Sequence, residues 1–158
     1  MSLAVVYSRA SLGTSAPLVT VEVHLSNGLP SFSIVGLAET AVKESRERVR
    51  SALKNSGFDF PTRRITVGLA PADLPKRGGR FDLPIALGIL VAAGQLSLEA
   101  LQDIEFLAEL GLGGELRPVD TILSAVVAAT AMGHTVALAP GDAVEASRVR
   151  TARLLPAF

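Results

Sequence analysis

The stretch Leu74-Pro75-Lys76-Arg77-Gly78-Gly79-Arg80-Phe81-Asp82 gathers the residues of this chain best suited to chemistry. Three cations, Lys76, Arg77 and Arg80, stand within five positions around two glycines, Gly78 and Gly79. Glycines let a backbone turn tightly and come close to a ligand. Asp82 can cap a helix and Pro84 suits its first turn, so the stretch should end at a helix start, where unpaired N–H groups favour anions. One reading is a contact loop for phosphate, nucleic acid or an acidic partner. The other is a solvated connector whose arginines pair with Asp73 and Asp82. Contact with DNA through such a loop would engage phosphates rather than bases, and would be weak, sequence-independent and salt-sensitive.

Other chemistries are excluded by residue type and spacing. A Walker A loop needs Gly-Lys-Ser/Thr, and the chain has no Gly-Lys dipeptide. With no cysteine, thiolate metal sites and disulfides are ruled out. His24 and His134 fall on different predicted elements without a His-Glu-x-x-His pattern, so they read as ordinary edge or surface residues and no metal site is expected. Asp73, Asp82 and Asp120 read as caps and turns rather than a catalytic pair. Gly111-Leu112-Gly113-Gly114 precedes Glu115-Leu116-Arg117, which looks like a strand, so it reads as a hairpin turn and not a phosphate cradle. Arg46, Arg48 and Arg50 are interleaved with Glu44 and Glu47, as on a solvated helix face.

The elements that must position the loop follow from periodicity. Val5 and Tyr7, then 18–25 with Val19, Val21, Val23 and Leu25, alternate as half-buried strands. Ser26-Asn27-Gly28 is a turn, and 32–35 is expected to return as a third antiparallel strand, which makes an opening meander. Residues 37–55 read as one helix with Ala38, Val42, Val49 and Leu53 on its apolar stripe. A strand over 63–69, a buried helix over 83–93, two short strands over 106–112 and 115–117, a helix over 121–132 and a strand over 135–139 follow. Pro140-Gly141-Asp142 opens a loop able to start a further short helix. Strands first and alternation afterwards predict an α/β (α+β) fold with a mixed sheet packed by helices.

The 158 residues fit one domain. Fifteen basic and fifteen acidic residues balance, so charge gives no global case for nucleic acid. There is no signal-peptide pattern, and the longest apolar run, 83–93, is too short to span a bilayer. A cytoplasmic chain without a membrane partner is expected.

Several blocks resemble the ComM/YifB family of Mg-chelatase-like AAA+ proteins. They are Val21-Glu22-Val23-His24-Leu25-Ser26-Asn27-Gly28-Leu29-Pro30, Val35-Gly36-Leu37, Val42-Lys43-Glu44-Ser45, Arg48-Val49-Arg50-Ser51-Ala52-Leu53 and Asn55-Ser56-Gly57-Phe58. Residues 61–66, Leu69-Ala70-Pro71-Ala72-Asp73-Leu74-Pro75-Lys76 and 78–90 continue the match, so the resemblance covers nearly the whole chain. It implies a single N-terminal Lon-protease-like domain, 1–158, of the ribosomal S5 domain 2-like fold. An AAA+ ATPase core would follow outside this chain. ATP and Mg would serve that core, with no cofactor in this domain.

The resemblance further implies a hexameric helicase that promotes branch migration during DNA integration in natural transformation. This domain would be its scaffold and DNA contact, through Lys76, Arg77, Gly78, Gly79 and Arg80, with Arg63 and Arg64 beside them. The alternatives are a protein-interaction module that recruits recombination factors, and a residual Lon-type serine peptidase. Lon-type proteases carry Pro-Lys-Asp-Gly-Pro-Ser-Ala-Gly, and laying Pro75-Lys76-Arg77-Gly78 on its start puts Arg80 at the nucleophile. Their dyad lysine follows Leu-Pro-Ile-Gly-Gly-Leu, and laying Arg117-Pro118-Val119-Asp120-Thr121-Ile122 on that run puts Leu123 at the lysine. A guanidinium is no nucleophile and leucine no base, and 121–132 holds no lysine, so no catalytic residue and no peptidase activity are expected.

Overall fold

The computed structural model describes residues 2–149 and 153–156. The strands are β1 (Ser2–Arg9), β2 (Leu18–Ser26), β3 (Ser31–Val35), β4 (Arg64–Ala70), β5 (Ile104–Leu107), β6 (Glu109–Leu110), β7 (Leu116–Arg117), β8 (Thr135–Leu138) and β9 (Arg153–Pro156). The helices are α1 (Thr40–Lys43), α2 (Ser45–Asn55), α3 (Asp82–Ala92), α4 (Ile122–Ala131) and α5 (Pro140–Ala146), with a short 3-10 turn at Leu98–Leu101. Seven strands form one mixed sheet in the order β3-β4-β2-β1-β5-β8-β9, and β6 and β7 form a separate hairpin. This is the α/β class with a mixed sheet and packed helices that the alternation of elements predicts.

The sheet has two physically different halves. In β2 and β4 every second residue is buried: Val21, Val23 and Leu25 face Leu69, Val67 and Ile65 in register. The alternate residues Glu22, His24 and Thr66 lie on the other, more open face. In β5 and β8 both faces are covered. Phe106 and Ala137 join the core under α3, while their neighbours Leu107, Val136 and Leu138 join a second core with Ile122, Val126 and Ala129 of α4. Successive strand residues point to opposite faces, so α3 and α4 pack on opposite sides of the sheet. α3 is apolar nearly all round because it lies across β1 and β2 with α2 against it. Full burial of side chains such as Ile85 and Ile89 contributes about 1.5–3 kcal/mol each.

Three expectations are corrected. Residues 31–35 do not close a meander: β3 is an edge strand parallel to β4, and β4 lies between it and β2. The apolar face of β4 matches that of β2 along its length, and this outweighs chain proximity. The predicted helix 37–55 starts only at Thr40 and breaks at Glu44. Leu37 takes φ 57°, and 37–39 pairs instead with Lys76, whose N–H donates to the Leu37 carbonyl (3.2 Å) while Glu39 N–H donates to its own carbonyl (3.2 Å). The predicted strand 106–112 is divided at Ala108, where the chain leaves the main sheet for the hairpin. Strand β9 has no counterpart in the sequence reading.

Gly88 sets how closely α3 approaches the sheet. A Cβ there would lie 2.5 Å from Val23 Cγ2 and 3.3 Å from Val23 Cβ. In an open helix Gly to Ala stabilises by up to about 1 kcal/mol. Here Gly88→Ala should reverse that sign and destabilise by about 1–3 kcal/mol through overpacking, read from the urea midpoint at constant m-value.

Candidate functional site

The 71–81 loop leaves β4 and runs back across the sheet's end to the start of α3. Two of its three cations turn inward. Lys76 is fully buried, and its ammonium donates to the Gly36 carbonyl at 2.6 Å and to the Pro71 carbonyl. Desolvation holds its pKa below the usual lysine range, opposed by the charge of Asp73. Gly36 itself has no room for a side chain: its φ is 115°, and a Cβ there would collide with the Leu69 carbonyl.

Arg80 is only 5% exposed. Its Nη1 donates to the Arg9 carbonyl at 3.2 Å, and its Nη2 to the Asp120 carbonyl and to Thr121 Oγ1 at 3.0 Å. Burial lowers its pKa, opposed by Asp120 and Asp142. Arg80 thereby ties the glycine loop to β1 and to the N-terminal end of α4. Leu123, the other position of the protease comparison, lies half-buried one residue into α4, facing a groove with Pro17 and Val127.

The start of α3 is closed to anions from the protein's own side. Asp82 N–H donates to the Gly79 carbonyl (3.0 Å), Leu83 N–H donates to the Ala108 carbonyl (3.2 Å), and Pro84 has no N–H. Asp82 does not cap the helix. It lies inside the first turn and takes a bidentate ion pair from Arg48, Nε to Oδ2 at 2.6 Å and Nη2 to Oδ1 at 3.0 Å, and accepts the Leu110 N–H. The pair raises the Arg48 pKa. Arg48 is therefore a packing residue rather than part of a solvated face. The connector reading is corrected too: the buried cations go to backbone carbonyls, and Asp82 goes to a different helix.

A cleft of about 470 Å³ remains beside the loop. Arg77, Gly78 and Gly79 line it with Arg80, but so do Glu39, Glu109 and Asp120. Gly78 N–H already donates to Glu39 Oε1 at 2.9 Å. Of the three cations among the expected loop contacts, only Arg77 is presented to solvent, and it stands among carboxylates. Arg63 and Arg64 do not join it. They flank the start of β4 while the loop leaves its end, about 20 Å away at roughly 3.3 Å per residue.

Sequence reasoning missed a buried ion cluster. Arg9 Nε and Nη2 donate to the two oxygens of fully buried Glu105 at 2.7 and 2.9 Å, and His134 Nδ1 lies 2.8 Å from Glu105 Oε2. His134 is therefore not an ordinary surface residue. The residues are 96 and 29 positions apart, so no spacing betrays them. The one signal is a lone carboxylate inside the apolar run Ile104-Glu105-Phe106-Leu107. Among the described residues no cluster of ligating side chains suited to a metal occurs, and no helix is long and apolar enough to cross a membrane.

Comparison with known proteins bears on the family of the chain. A model of the family described as subunit ChlI of Mg-chelatase matches residues 21–143. Competence protein ComM of Haemophilus influenzae is 59% identical over 149 residues, 94% of this chain and 29% of that protein. The uncharacterized protein YifB of Salmonella typhimurium is 52% identical over 145 residues, 92% of this chain and 29% of that protein. An uncharacterized protein of Mycobacterium tuberculosis is 39% identical over 142 residues, 90% of this chain and 28% of that protein. The chain thus spans under a third of the length of these relatives.

Lys76→Met should lower stability by roughly 2–4 kcal/mol, because two buried carbonyls lose their donor. Arg77→Ala should stay within about 0.5 kcal/mol of the parent. Equal effects in chemical denaturation would show that Lys76 is not the internal brace.

Proposed function

Because the chain belongs to the Mg-chelatase subunit ChlI family, on its ComM/YifB branch, we propose that it is a non-catalytic, Lon-protease-like module of a competence-related motor protein. The carrying observation is Arg80. The side chain aligned with the protease nucleophile is buried, and its donors are engaged by Arg9, Asp120 and Thr121. A group so placed has no path to a peptide carbonyl, and the protein around it uses it as a strut. The ATPase core, with ATP and Mg, lies in this reading outside the chain. The module acts as a scaffold within a hexameric ring that handles DNA during integration and branch migration, in the cytoplasm.

DNA contact belongs to the same proposal, weak and independent of sequence. The glycine loop supports it only through Arg77, since Lys76 and Arg80 are turned inward. A second reading, recruitment of recombination factors, is favoured by one feature: the apolar groove beside α4, where Val127 is 52% exposed.

The strut reading is tested with Arg80→Ser, which restores the residue type of the protease motif. The variant should lose about 2–4 kcal/mol of stability through unsatisfied buried carbonyls. Neither it nor the parent should cleave an unfolded protein above background. Serine-dependent turnover by the parent would defeat the non-catalytic assignment. In a naturally competent host, deleting this segment from the full-length protein should leave DNA uptake intact and lower chromosomal integration. Unchanged integration would remove the competence role.

A further inference from the structure

At the opposite end of β4 the cations are not neutralised. The C-terminal half of α2, the connection 56–63 and the start of β3 enclose a cleft of about 270 Å³. Arg50 and Lys54 reach it from neighbouring turns of α2, and Arg63 from the residue before β4. No carboxylate lines it, and none of the three cations has an ion-pair partner among the described residues. The contrast with the loop cleft and its three carboxylates is direct.

Arg50 is held in place. The Arg50 guanidinium lies 5.2 Å over the ring of Phe60, which packs on Phe32 with centroids 6.0 Å apart. A guanidinium laid on an aromatic face is fixed in orientation while its in-plane N–H groups remain free to donate. The Nε groups of Arg50 and Arg63 are both shielded from solvent and lack a hydrogen-bond partner. Elsewhere in the molecule the buried cations Arg9, Lys76 and Arg80 are all matched by acceptors. Both arginines line the same carboxylate-free cleft, so their guanidinium donors are best matched by an anion with several acceptor oxygens.

We infer that this cleft binds a phosphate group, with Arg50 and Arg63 as donors and Lys54 as the mobile charge at its mouth. The phosphate comes from a nucleic-acid backbone: Arg64, exposed beside Arg63 at the sheet margin, continues the positive surface toward a neighbouring phosphate. Only the source rests on the DNA-handling reading above; the site itself stands on its geometry.

The test follows the arginine Nε–H resonances of the 15N-labelled chain. They are assigned with Arg50→Lys and Arg63→Lys. The chain is titrated separately with inorganic phosphate and with a single-stranded oligonucleotide lacking terminal phosphates. Both probes should shift the Arg50 and Arg63 signals saturably. Lys54→Glu, an exposed substitution that leaves the fold intact, should weaken both by at least about fivefold. Arg148→Gln, an exposed cation after α5, should change them by less than about twofold. Shifts with phosphate alone would keep the site and overturn the nucleic-acid source. No shift with either probe, or no effect of Lys54→Glu, would overturn the site. The peptidase and integration results bear on neither readout.

Discussion

A cation taken out of water must find acceptors, and this constraint organises the whole 71–81 loop. Lys76 and Arg80 are both buried, and both are satisfied by backbone carbonyls rather than by carboxylates. Carbonyls belong to fixed elements, so each bond locks one part of the chain to another. Lys76 joins the loop to the β3–α1 turn at Gly36. Arg80 joins it to the end of β1 and to the residues before α4. Arg48 and Asp82 complete the arrangement by pinning α2 to the first turn of α3 and to the β6–β7 hairpin through Leu110.

The same logic appears on the other side of the sheet. Arg9, Glu105 and His134 bind β1, β5 and the turn before β8 across the point where the sheet passes from antiparallel to parallel pairing. A buried ion cluster of this kind adds little net stability over an apolar replacement. Losing one member leaves an uncompensated charge, however, so the cluster penalises any slip of these strands. The half of the sheet covered on both faces is thereby held in register with the half covered on one.

Function follows from where charge is satisfied and where it is left open. A loop whose cations serve carbonyls is a strut. The α2–β4 cleft, whose arginine donors lack acceptors, is a binding surface. One chain can therefore use the cations of one loop as internal braces and leave those of another cleft without protein acceptors. In this arrangement the two basic regions that sit close in sequence, 63–64 and 76–80, lie at opposite ends of one strand.

Much was determined by the sequence alone. Alternation in 18–25 and 63–69, the apolar run 83–93 and the glycine turn at 113–114 gave strands, a buried helix and a hairpin, because local periodicity reports which face is covered. The family resemblance laid positions 80 and 123 on the protease motif, and their residue types then gave the expectation of no protease chemistry. Tertiary structure alone decided the rest. Strand pairing depends on which apolar faces match at a distance, so β3 lies beside β4. The helix expected over 37–55 starts only at Thr40 because Lys76, far along the chain, pairs through its backbone with 37–39. Whether a lysine or arginine meets solvent or a carbonyl depends on neighbours 40 to 71 positions away, as for Lys76 and Gly36 or Arg80 and Arg9. Sequence shows that a charge exists; only the packed chain determines which acceptor, if any, stands within hydrogen-bonding reach of it.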